Sequence, residues 1–405
     1  MSAAAPQAAP GVEAVARPSR IDALRRLLPG DLASIRVLIG LIVIWAFFQS
    51  QNSRFLTALN LTNLMLQITA VGLISVGIVY VLLLGEIDLS VGAVSGLAAA
   101  IMAVLNVKHG WNPYLAIAAG VVTGTVIGLF QGGVFTAFGV PSFVVTLAGL
   151  LAWQGALLYV LGNTGTINIT DPKMTGLANT FYSDAVGWIT ALAAIGGYAA
   201  STLWAWRQRV RAGLADTQLA GPLVRIVVVA AAVIAAVAIL NSDRGVPLAV
   251  LILVGFVAGM EYIAKRTIFG RHVFAVGGSA EAARRAGINI HAIRLIVFAI
   301  AGSMAAIGGI MGASRLLAVN QASGGSDLLL LAIAGPVIAG TSLFGGRGSV
   351  WSALLGALVI GSISNGMDLL NYESSVKFMV TGGVLLAAVV VDAIARRQRQ
   401  SAGRV

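Results

Sequence analysis

Glu86, Asp88 and Ser90 stand together at a break between two apolar runs. Ionisable groups in such a place either edge a solute path or gate, or cap the helix that follows. A second polar constellation lies in residues 265–292, KRTIFGRHVFAVGGSAEAARRAGINIHA. Gly277 and Gly278 interrupt the chain there, and Ser279 can accept bonds from the first free amides of a helix. Glu281 falls in the first turn and Arg284 and Arg285 in the last, the signs that suit a helix dipole. Gly287 follows as a left-handed cap. The spacing predicts a helix of about two turns, and one so short must pack on something to persist. It reads either as a cytoplasmic knob for a partner or as an ordinary connecting loop.

Other chemistry is excluded by what the sequence lacks. It has no G-x-x-x-x-G-K-[ST] phosphate loop, no Gly-x-Ser-x-Gly elbow and no His-Glu-x-x-His zinc helix. There is no cysteine, so thiol catalysis, thiolate metal sites and disulfides are absent. His109, His272 and His291 are far apart and read as loop or helix-end residues rather than metal ligands. The chain is expected to be neither an enzyme nor a metal protein.

The elements that carry these residues are strongly apolar. Of 405 residues, 58% are hydrophobic and 10% charged, against about 25% charged in soluble domains. A bilayer crossing takes about 20 apolar residues. Twelve candidates lie near 35–50, 63–84, 89–106, 114–136, 142–161, 186–206, 224–241, 246–264, 293–313, 327–345, 350–369 and 375–394. The small-residue runs 89–106 and 327–345 could be broken or re-entrant. The predicted fold class is therefore all-α, a polytopic transmembrane helical bundle of about 12 spans. Residues 1–34 read as a disordered cytoplasmic tail, 35–394 as the membrane domain and 395–405 as a cytoplasmic C-terminal tail.

Charge placement sets the orientation. Twenty of the 26 Lys and Arg fall in the N-terminal end, 207–225, 265–294, Arg347 and the C-terminal tail. The six exceptions are Arg54, Lys108, Lys173, Arg244, Arg315 and Lys377. This bias puts the first group, and both termini, in the cytoplasm. The net charge of +11 is thus a membrane signature, and nucleic acid is not an expected partner. Gly120, Gly124, Gly128 and Gly132 line one helix face, and Gly92 and Gly96 repeat the spacing. Such a face joins either a second copy or a neighbour in the same bundle, the latter being the simpler reading. Residues 162–185 form a polar outside loop long enough to dock an external partner or to serve as a passive flap.

Several stretches resemble one transporter family. Glu281-Ala282-Ala283 followed by Gly287 looks like the E-A-A-x-x-x-G coupling loop of binding-protein-dependent ABC permeases. Gly270 through Asn289, Glu86 through Gly92, and Gly340 through Ser349 resemble segments of the ribose, arabinose and xylose permeases. The resemblance runs from about residue 55 to 394. Ribose-type members have glycine where Glu86 stands, whereas the D-xylose permeases resemble this chain there. They also share an extra hairpin, here 186–241.

This resemblance implies a permease subunit of an ATP-driven importer in the bacterial inner membrane, passing a pentose, D-xylose foremost. It implies a periplasmic sugar-binding protein, a second permease copy and surrounding lipid. A cytoplasmic ABC ATPase would hold the ATP and Mg, with no cofactor in this chain. Ser279, Glu281, Ala282, Ala283, Arg284, Arg285 and Gly287 would couple to that ATPase. Glu86, Asp88 and Ser90 would border the path or its gate. The residues leave open an ion-coupled secondary transporter of a small polar solute, or a membrane protein without transport. The scarcity of carboxylates at span centres weakens the ion-coupled reading.

Overall fold

The computed structural model describes residues 32–213 and 219–401. Helices and links follow in the order α1 (Leu32–Gln51), α2 (Ala58–Leu83), α3 (Val91–Ala103), α4 (Pro113–Phe138) and α5 (Ser142–Leu161). Next come β1 (Thr166–Asn168), α6 (Pro172–Asn179), β2 (Phe181–Tyr182), α7 (Asp184–Arg211), α8 (Ala220–Asn241) and β3 (Val246–Pro247). The chain continues with α9 (Leu248–Arg266), α10 (Ile268–Gly278), α11 (Ala280–Arg285) and α12 (Ile290–Leu316). It ends with β4 (Ala318–Asn320), α13 (Ser326–Ile338), α14 (Trp351–Leu369) and α15 (Ser374–Ser401).

The all-α expectation holds. Among the described residues, nine helices are long and apolar enough to cross a membrane. Three shorter apolar stretches, Val37–Gln51, Asp327–Ile338 and Ser374–Ala387, accompany them. The two doubtful spans separate. Val91–Lys108 is among the nine, its last turn wound as a π-helix from Val104 to Lys108. The run 327–345 is not one helix: α13 stops at Ile338, and the chain is non-helical from Ala339 until α14. Of the expected tail 1–34, residues 1–31 lie outside the described residues, and α1 already begins at Leu32. The expected tail 395–405 is helical to Ser401, and 402–405 lie outside the described residues. So do 214–218 within the basic segment 207–225.

The chain divides into two compact units. Among the described residues, one includes most of α7 and α8, from Ala191 to Ala235; the other includes 32–190 and 236–401. In the larger unit α2 and α12 form the centre. The α2 residues from Gly72 to Leu83 are buried without a break, because helices surround it on all sides rather than lipid or water. Helix α12 packs on α2, α3 and α4. Its contact with α4 uses the glycine face. A Cβ on Gly128 would lie 2.1 Å from the Phe298 carbonyl oxygen, and one on Gly124 2.3 Å from that of Gly302. That glycine row is thus spent inside the bundle, where it lets two backbones touch.

Pro336 sits inside α13 and has no amide to bond the Ala332 carbonyl one turn back. The Ser75 hydroxyl of α2 donates to that carbonyl instead, at 3.0 Å. A neighbouring helix thereby satisfies the acceptor that proline orphaned, as low-dielectric surroundings require.

The long loop 162–185 is folded rather than slack. β1 pairs antiparallel with β4 and β2 with β3. Asp171 caps α6 by accepting from the Lys173 amide. Met174 and Ala178 are buried, and Ser314, near the end of α12, donates to the Thr175 carbonyl at 3.0 Å.

Candidate functional site: a three-way junction beneath a capped helix

Helix α11 has the geometry that its caps specify. The Ser279 hydroxyl accepts from the Ala282 amide at 3.2 Å. At the other end Gly287 has φ of 81°, a conformation that costs a side-chain-bearing residue about 1–2 kcal/mol. Its amide donates to Arg284, and that of Ile288 donates to Ala283. This pair of bonds is a Schellman ending. Glu281 lies 3.2 Å from Arg285 and 3.7 Å from Arg284. Ala283 is buried while these three charged side chains are 60–79% exposed, so α11 is rooted on one side and charged on the other. Gly278 is still helical, and the chain turns at Ser279 alone. The expected double-glycine break is therefore narrower than its sequence suggests.

Gly277 serves another end. A Cβ there would fall 1.8 Å from the Leu83 carbonyl oxygen and 2.8 Å from the Gly346 nitrogen. The Gly346 amide donates to that same Leu83 oxygen at 2.9 Å. The end of α10 thus meets two non-helical links at once: 84–90, between α2 and α3, and 339–350, between α13 and α14. The second link is pinned from α9. Glu261 accepts from the Val350 amide at 2.6 Å and from the Ser349 hydroxyl at 3.0 Å. Lys265 donates to the Gly348 carbonyl at 3.0 Å.

The first link carries the predicted Glu86, Asp88 and Ser90. Glu86 forms an ion pair with Arg294, near the start of α12, at 2.7 Å. It also accepts from the Ser142 hydroxyl at 2.7 Å. Thr146 accepts from the Leu89 amide at 3.1 Å, so α5 clamps the link. Asp88 is 2% exposed and accepts from both the amide and the hydroxyl of Ser90, at 2.8 and 2.7 Å. Burial pushes its carboxyl above the usual range, against those two bonds, which pull it down. Ser90 itself makes no side-chain cap bond to α3. Its one hydroxyl proton is shared between two acceptors, Asp88 and the Gln131 side-chain oxygen 3.0 Å away. Asp88 closes the turn ahead of α3 by holding the Ser90 amide, and neither it nor Ser90 caps the first amides of α3.

The two sets of predicted residues come together at one end of the bundle. Arg294 is the residue that sequence reasoning missed as their connector. It was counted only as one basic residue of an inside loop. A lone arginine at the root of an apolar run, matched to a lone glutamate at another break, was the available signal.

Comparison with known proteins follows the same lines. A family model described as "Branched-chain amino acid transport system / permease component" matches residues 60–389. The chain is 38% identical over 363 residues to the xylose transport system permease protein XylH of Escherichia coli K12, covering 89% of this chain and 91% of that one. Its counterpart in Haemophilus influenzae is 36% identical over 357 residues, 88% and 95% of the two chains. The ribose import permease protein RbsC of Bacillus subtilis is 31% identical over 364 residues, 90% and 94% of the two. No solved structure matches the chain.

Proposed function

The chain belongs to the family of branched-chain amino acid transport system permease components, and from that premise we propose that it is the membrane-spanning subunit of an ATP-driven sugar importer. D-xylose is the favoured sugar, because the xylose permease relatives stand at 36–38% identity and the ribose one at 31%. The nine long helices and three shorter apolar stretches support twelve crossings. With the basic segments inside, both termini then face the cytoplasm of a cell whose inner membrane holds the chain.

One observation carries the mechanism. The exposed charged face of α11 is rooted, through Gly277, in the junction of two broken links. A cytoplasmic ATPase carrying ATP and Mg grips Ser279 to Gly287. Its motion passes through α10 into the links 84–90 and 339–350, and Glu86, Asp88 and Ser90 act as part of an inner gate rather than as sugar ligands. A periplasmic binding protein delivers sugar at the end of the bundle covered by residues 162–185. A second copy of the chain completes the pathway.

The test is reconstitution of the chain with its ATPase and binding protein in proteoliposomes. D-xylose should accumulate only with ATP and should keep doing so when ion gradients are collapsed. Accumulation that follows an ion gradient instead, or no accumulation, overturns the proposal.

A further inference from the structure

Resting on the sugar-importer reading, we infer that a cavity at the far end of α12 from α11 is a sugar-hydroxyl subsite on the translocation path. It has a volume of about 240 Å³ and is lined by Gln67, Arg315, Ser364 and Asp368 among apolar residues such as Ile68 and Ala357. Helices α2, α12 and α14 supply these four polar groups. Arg315 lies in the last turn of the helix that holds Arg294 near its start. At about 1.5 Å per residue, about 32 Å separates the two.

Uncommitted hydrogen-bonding capacity marks the cavity. Among the described residues, the Arg315 guanidinium and the Ser364 hydroxyl make no hydrogen bond. The Gln67 carbonyl oxygen accepts from Asn365 at 3.3 Å, which leaves its amide donors free. Asp368 is ion-paired with Lys377 of α15, and a carboxylate retains further acceptor sites. These half-buried groups are open to the cavity rather than sealed from it, so a polar ligand entering it can meet them.

A polyhydroxylated ligand meets all of them, since each sugar hydroxyl both donates and accepts. The volume lies below the roughly 300–1,000 Å³ of drug-sized pockets, in proportion to a monosaccharide. Its lining holds no aromatic ring, so a sugar lacks the stacking that would hold it tightly. That suits a site of passage, where the ligand must leave as readily as it enters.

The cysteine-free sequence makes a direct test possible. Ser364→Cys adds a single thiol with little change of shape, and Gln67→Cys is a second reporter should the first not reach the membrane. In membranes holding the full chain, a water-soluble maleimide should label the thiol. D-xylose should slow labelling about threefold when present at roughly twice its dissociation constant, and sodium chloride should not. A thiol that is never labelled, or is labelled equally fast with and without D-xylose, overturns the inference. The readout needs neither ATP nor partners. ATP-dependent uptake by the wild-type assembly without protection of the thiol sinks the subsite alone. Failure of uptake sinks the importer reading.

Discussion

Glu86 and Arg294 face each other at 2.7 Å, and this pair joins the break ahead of α3 to the root of α12. Both side chains are largely shielded, at 15% and 30% exposure. Arg294 also lies over the Phe135 ring of α4, 5.4 Å from its centroid. The helix that follows the capped segment α11 is therefore tied to the link between α2 and α3 and to a neighbouring helix. A displacement at α11 has a short route into the membrane part of the bundle.

Removing one partner leaves the other charge half-buried and short of bonds. Hydrogen bonds to charged groups contribute about 1.5–3 kcal/mol, so Glu86→Gln and Arg294→Gln should each destabilise the detergent-solubilised chain by about that amount. The double variant should cost less than the sum of the two. Thermal unfolding of all three, read as a double-mutant cycle, measures the coupling. Strict additivity would show that the contact carries no energy.

Gly277→Ala should be far more damaging than Gly278→Ala. The added methyl at 277 would overlap the Leu83 carbonyl oxygen at 1.8 Å, whereas nothing lies within 4 Å of the position it would take at 278. Both residues end the same helix, so helix propensity is matched and only the junction differs. Overpacking costs about 1–3 kcal/mol or more. Sugar uptake and thermal stability of the two variants, compared side by side, should separate clearly. Equal behaviour would mean that the junction is not a tight contact.

The caps of α11 make a graded prediction. Ser279→Ala removes one bond to the Ala282 amide and should cost about 1 kcal/mol, all of it local. Gly287→Val forces a β-branched residue to φ of 81° and should disorder the helix more. Glu281→Lys leaves the caps intact but reverses the charge opposite Arg284 and Arg285. In the assembled transporter all three should retain ATP hydrolysis by the motor while losing transport per ATP, with Ser279→Ala mildest. Unchanged transport ratios in all three would remove α11 from the coupling route.

Much of this was legible in the sequence because local rules govern it. The caps at Ser279 and Gly287 are short-range features, and their residues have little other use. The apolar runs announced the helices, and the small residues of 327–345 left that run open to a break, which the chain makes after Ile338. The junction was not legible. Gly277 reads as a helix breaker, yet its role is set by the Leu83 oxygen, almost two hundred positions away. Arg315 and Lys377 appeared only as two of six exceptions to the charge bias. Their distance from the basic segments was the one hint that they serve the opposite end. Ser90 misled for the usual reason: a serine before a helix is the standard cap, but here its hydroxyl is turned back to Asp88.

The two ends of α12 should be accessible from opposite sides of the membrane. The helix is 27 residues long, about 40 Å at about 1.5 Å per residue, which exceeds a hydrocarbon core of about 30 Å. Exposed Lys173 lies on α6, which Thr175 bonds to Ser314 at one end; exposed Glu281 lies on α11, at the other. Because the chain lacks cysteine, Lys173→Cys and Glu281→Cys each provide one thiol. An impermeant maleimide added to spheroplasts should label residue 173 at once and residue 281 only after the membrane is opened. The basic residues around Glu281 dictate that direction. Labelling of both from outside would mean that α12 does not cross, and the reverse pattern would invert the orientation of the whole bundle.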